Sequence, residues 1–93
     1  MADIKQIHAQ VIGRVQGVSF RYYTLKKAQE LNLTGWVRNR SDASVEVLAQ
    51  GEPDALDELK SFLHQGSPSA QVEQVLITEP EINETFSRFE VRY

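Results

Sequence analysis

The nine residues Gly13-Arg-Val-Gln-Gly-Val-Ser-Phe-Arg21 carry most of the chemistry this sequence can offer. They lie between a strand-like segment and the start of a helix-like one. A glycine-bearing loop in that position can turn successive backbone N–H groups inward, and such a nest beside a helix N-terminus binds an anion. No Lys-Ser or Lys-Thr pair follows Gly17, so this is not a Walker A loop, and the glycine spacing is not the dinucleotide fingerprint. Arg21 sharpens the case. A cation in the first helical turn opposes the macrodipole, at a cost of about a few tenths of a kcal/mol when exposed. That conflict disappears if an anion sits between them, and a guanidinium can grip a phosphate-like anion through two parallel N–H bonds. The competing reading of Arg21 is a solvated surface arginine.

Asn39, at the end of Gly35-Trp-Val-Arg-Asn39, is the second candidate. Asparagine is a poor strand residue. Either it opens the turn that follows, or its carboxamide, donor and acceptor at once, holds a water. Ser19 has no evident base partner, so a nucleophilic role is not expected. Arg38 and Arg40 alternate with Asn39 and read as solvated arginines that add local positive potential. Tyr22, Tyr23 and Trp36 read as packing residues. His8 reads as an outward-facing strand residue and His64 as one suited to a helix C-terminus.

These groups need elements to hold them. Lys5 to Gly13 alternates, with Ile7, Ala9 and Val11 on one face, and predicts a half-buried strand. Arg14 to Phe20 is the loop. From Arg21 the period turns helical, with Tyr22, Leu25, Ala28 and Leu31 on a common face. Thr34–Arg40 and Ser44–Gln50 predict two strands of a hairpin, turning through Ser41 and Asp42. Pro53 suits the first position of a second helix, with Leu56, Leu59 and Leu63 as its buried stripe and Gly66 and Pro68 as its stop. Val72–Thr78 predicts a fourth strand. Phe86–Tyr93 predicts a fifth, read as an extra hairpin strand, with Phe89, Val91 and Tyr93 on one face. The order β-α-β-β-α-β is the split β-α-β, ferredoxin-like plan: an α+β sandwich with an antiparallel sheet and both helices on one face.

The chain has 93 residues, 41% hydrophobic and 25% charged, which predicts one domain over residues 1–93 with a small core. It contains no cysteine, so a thiolate nucleophile, a disulfide scaffold and a Cys-based zinc site are excluded. With His8 and His64 as its histidines, a multi-histidine metal cage is not expected either. The net charge of −3 argues against a nucleic-acid binder. No apolar run reaches the ~20 residues of a membrane span, and the start shows no apolar signal core. A cytoplasmic monomer with no nucleic-acid or membrane partner is the expectation.

The segment 13–21 resembles the signature loop of the acylphosphatases, and 35–39 resembles their second signature. Val45-Glu-Val47, then Gln50-Gly-Glu52, is similar to the stretch that follows in that family. The resemblance runs over nearly the whole chain, and it departs at Ala43, where many relatives carry glycine in the hairpin. It implies a ferredoxin-like fold and hydrolysis of acyl phosphates to a carboxylate and inorganic phosphate, without metal or cofactor. It implies Arg21 as the phosphate-binding arginine and Asn39 as the water-orienting asparagine. The cradling backbone amides would be those of Val15, Gln16, Gly17, Val18, Ser19 and Phe20. Three other readings stand beside it. One is a non-catalytic regulatory domain that binds phosphate or another small anion. The second is an RNA-binding module of the same element order, weakened by the lack of aromatic residues on the first and third strands. The third is a piece of a larger carbamoyl-transfer maturation protein.

Overall fold

The computed structural model describes residues 3–93. Its elements run in the order β1 (Lys5–Arg14), α1 (Phe20–Glu30), β2 (Thr34–Asn39), β3 (Val45–Gly51), α2 (Pro53–Leu63), β4 (Gln71–Thr78) and β5 (Phe89–Arg92). The alternation in β1 does what it predicts. Ile7, Ala9 and Val11 are fully buried and lie opposite Ala49, Val47 and Val45 of β3. Directly paired residues share a face, so these six build one wall of the core. Leu56, Leu59 and Leu63 of α2 close it from above. Each such leucine contributes about 1.5–3 kcal/mol by leaving water. Both helices lie on this face. The opposite face carries Gln6, His8, Gln10, Trp36, Arg38, Glu46 and Leu48, and no described helix covers it.

The sheet order is β4-β1-β3-β2-β5. β1, β2, β3 and β4 pair antiparallel, as the ferredoxin-like plan requires. β5 corrects one expectation. It does not form a hairpin with β4 but pairs with β2, in parallel, at the far edge, so the sheet is mixed. The cause is the route of the connection. β4 ends beside the start of β1, and the link after Thr78 crosses that same end of the sheet. Gln6 donates to the carbonyls of Pro80 (3.5 Å) and Glu81 (3.1 Å), and Gln50 donates to Glu84 O (2.6 Å). A strand that starts from that end must run the same way as β2. It is also shorter than the sequence predicts, from Phe89 rather than Phe86.

The buried stripe of α1 differs too. The helix begins at Phe20, and Phe20, Thr24 and Ala28 face inward at successive i, i+4 positions. Tyr22 and Tyr23 are 56% and 40% exposed, so they are not core residues.

Candidate active site

The loop from β1 to α1 is pinned at both ends. Val15 and Phe20 are each 1% exposed and belong to the core. Between them Gly17 has φ 73° and Ser19 φ 62°. Two left-handed residues so close together curl the chain and turn its amides to one side. Space beside Gly17 is open, and a built Cβ there would meet no atom within 4 Å, so its glycine serves backbone shape and not packing. Among the described residues, no backbone N–H from Gln16 to Phe20 makes a well-formed hydrogen bond to a backbone carbonyl. Nor does the Ser19 side chain cap α1, which starts with no acidic residue in its first turn. A row of donors and a helix N-terminus are thus left without an anionic partner from the chain.

Arg21 follows in that first turn, half-buried. Among the described residues it takes part in no ion pair, whereas Arg38, Arg40 and Arg92 all do. Its guanidinium carbon lies 4.9 Å from the centroid of the Tyr93 ring. Asn39 is the last residue of β2 and stands opposite Val45, hence on the helix side of the sheet. An open cleft of about 590 Å³ joins these groups, lined by the polar Ser19, Arg21 and Asn39 with Gly17 and by the apolar or aromatic Tyr22, Leu25, Val91 and Tyr93. Val15, Gly17, Ser19 and Phe20 of the loop thus line one cleft with Arg21 and Asn39, whereas Gln16 and Val18 are not among its lining residues.

Several contributors were not visible in the sequence. The sequence points to the Gln16 amide alone, yet its side chain donates to Arg40 O (2.8 Å) and Ser44 O (2.9 Å) and so ties the loop to the hairpin that carries Asn39. Asp42 shapes the same turn, accepting from the Ser44 N–H (3.0 Å) and hydroxyl (2.5 Å). Those two bonds hold its carboxyl below the usual value. Arg38 and Arg40 are not simply solvated. Arg38 Nε lies 2.6 Å from Glu46 Oε1, and an Arg40 terminal nitrogen lies 3.4 Å from Glu46 Oε2. Burial pushes the Glu46 carboxyl up, but the hydrogen bonds and charges of His8 and Arg38 outweigh it, and the group sits below its usual value. With Asp42 also 3.7 Å from Arg40 Nε, two carboxylates face these two arginines, which leaves Arg21 as the cation of the cleft without an ion-pair partner among the described residues. Tyr22, which reads from the sequence as a packing residue, lines the cleft instead, together with Tyr93 and with Val91, which also packs against the core. For Tyr93 a signal existed, since alternation with Phe89 and Val91 puts it on the helix side.

Comparison with known proteins agrees with this arrangement. A family model described as acylphosphatase matches residues 7–91. An acylphosphatase of Salinibacter ruber (strain DSM 13855 / M31) is 44% identical over 88 residues, which is 95% of this chain and 93% of that protein. The solved acylphosphatase of Coxiella burnetii has a TM-score of 0.92 at 46% identity, over 97% of this chain and 94% of that one. Full-length HypF, solved with phosphate and nucleotide bound, has a TM-score of 0.91 at 26% identity and is matched over 12% of its own length. Matched in fold and along nearly its whole length by proteins of this kind, the chain belongs to the acylphosphatase family of hydrolases.

Proposed function

We propose that the protein hydrolyses the carboxyl–phosphate anhydride of small acyl phosphates, releasing a carboxylate and inorganic phosphate, with Arg21 and Asn39 as its catalytic residues. The observation that carries this is the meeting of an unpaired arginine, a curl of free amides and an asparagine at one cleft. An acyl phosphate already has a good leaving group, so positioning and charge stabilisation suffice. The amides of Val15 through Phe20 and the guanidinium of Arg21 hold the non-bridging phosphoryl oxygens. The Asn39 carboxamide holds a water in line with the leaving carboxylate. As the water oxygen bonds to phosphorus and the acyl oxygen departs with its electron pair, the water's proton passes to a phosphoryl oxygen. No side chain then needs to act as base, and no metal is needed, because Arg21 and the amides supply the positive potential. On this reading one domain, 1–93, works as a cytoplasmic monomer on a diffusible substrate.

Benzoyl phosphate turnover in excess EDTA, measured beside Arg21→Ala, tests it. Turnover should persist in EDTA, and Arg21→Ala should lose about a few hundredfold or more, as expected for loss of a preorganised donor. Activity that vanishes with EDTA and returns with Mg²⁺ overturns the metal-free reading. Phosphate binding without turnover would favour a regulatory anion-binding domain instead.

A further inference from the structure

Asn39 needs a cause for its accuracy. It ends β2, and strand pairing stops there: the next residue already belongs to the hairpin turn, which Arg40 N–H closes onto Ser44 O at 2.8 Å. A residue at the end of a strand frays unless its neighbours are held. Both neighbours are held by one carboxylate. Glu46 Oε1 accepts from Arg38 Nε at 2.6 Å, and Glu46 Oε2 lies 3.4 Å from an Arg40 terminal nitrogen. His8 Nε2, from β1, lies 2.6 Å from the same Oε2. The Glu46 side chain is only 8% exposed, although Arg38, Arg40 and His8 are 47%, 40% and 31% exposed, so one buried carboxylate gathers three charge-assisted contacts at the edge of solvent. The register fixes its side of the sheet. Arg38 pairs with Glu46 and Asn39 with Val45, so Glu46 lies on the helix-free face and Asn39 on the cleft face.

We propose that Glu46 is a positioning residue for Asn39, clamping the residues before and after it from the opposite face of the sheet. The proposal rests on the reading of Asn39 as the water-holding residue. Glu46 does not reach the cleft itself. It acts through the two peptide units that flank Asn39, anchored on β1 by His8. Since a misplacement of about 1 Å in a catalytic group can cost up to a hundredfold, loss of the clamp should lower turnover more than phosphate affinity, because the phosphate-binding loop meets this hairpin through the main-chain carbonyls of Arg40 and Ser44 and not through the guanidinium groups that Glu46 holds.

The experiment is a double-mutant cycle with benzoyl phosphate, run well below the unfolding temperature of every variant. Glu46→Gln keeps size and removes the charge that holds two guanidinium groups. Its kcat should fall about tenfold, with the inhibition constant for inorganic phosphate within about twofold of the parent. In an Asn39→Ala background the same change should alter kcat by less than about twofold, because there is nothing left to position. A merely structural role would give additive effects and not that coupling. Should Glu46→Gln not fold, Arg38→Gln removes one arm of the clamp at a half-exposed site and should show the same pattern at about threefold. Additive effects in the cycle, an unchanged kcat, or a matching loss of phosphate affinity overturn the clamp. An Asn39→Ala protein with parental turnover overturns instead the reading of Asn39 on which the clamp depends.

Discussion

Arg21 stands where a cation is least at home, in the first turn of a helix, and among the described residues it has no carboxylate to neutralise it. The guanidinium shape and not charge alone should therefore matter. Arg21→Lys keeps the positive charge but loses the planar fork that grips two phosphoryl oxygens. It should lose about a hundredfold or more in kcat/KM for benzoyl phosphate. A near-parental rate would remove the two-bond role. This residue was legible in the sequence because its evidence is local: a glycine loop, a helix start and a misplaced cation lie within nine positions. The partners that set the site were not. Glu46 meets Arg38 across eight residues of chain and His8 across thirty-eight, and Gln16 meets Arg40 across twenty-four. The meetings of Glu46 follow from strand register and that of Gln16 from the path of the loop, neither of which periodicity alone gives.

Among the elements, α2 carries a consequence for the cleft at its far end. Gly66, just beyond the helix, has φ 68° and donates its N–H to Phe62 O at 2.8 Å. A Cβ built on it would lie 1.9 Å from Phe20 Cε2, so the Phe20 ring sits directly against the glycine. Phe20 is the first residue of α1 and the immediate neighbour of Arg21. Gly66→Ala should thus destabilise the fold by about 2–4 kcal/mol, combining overpacking with left-handed strain. It should also weaken phosphate binding, because the Phe20 ring is fully packed in the core and passes the displacement to the start of α1. A urea titration and a phosphate inhibition constant read the two effects, and a stable variant with parental phosphate affinity would show that the ring moves independently of Arg21. The sequence marked Gly66 as a helix stop and nothing more, since the contact to Phe20 spans the core. Elsewhere the elements were legible where punctuation was strong, as in α2 with Pro53 and its leucine stripe. In α1 the apolar side chains do not mark one face: Thr24 is buried and Tyr22 exposed, so periodicity points to a start at Arg21 and a different buried face, where the helix begins at Phe20. The sequence points to a hairpin strand for β5, which pairs with β2 instead, because sequence shows the length of a connection and not the end of the sheet it crosses.

At the scale of the whole molecule the net charge of −3 describes the surface at large, while the cleft is a local pocket of amides and one free guanidinium. The acidic excess is not passive, however. The Glu46 carboxyl is held below its usual 4.5 in the folded chain: burial raises it, and the hydrogen bonds and charges of His8 and Arg38 lower it by more. Between the lowered value and the usual one, the unfolded chain binds a proton that the folded chain does not. Glu46 therefore contributes its stability in full above the usual glutamate value and loses it as pH falls through the lowered one. Asp42 shifts the same way, from its usual 3.8, through its bonds from Ser44, but it is solvent-exposed and its share is screened. Replacing Glu46 by Gln removes the linkage, since the amide does not titrate. Urea midpoints of the parent and Glu46→Gln should thus differ most from about pH 5 upward and converge as pH drops toward about 3. A gap between the two proteins that stays constant over that range would mean that Glu46 holds its arginines as well protonated as charged, and that the ion pairs contribute nothing to the fold beyond their packing.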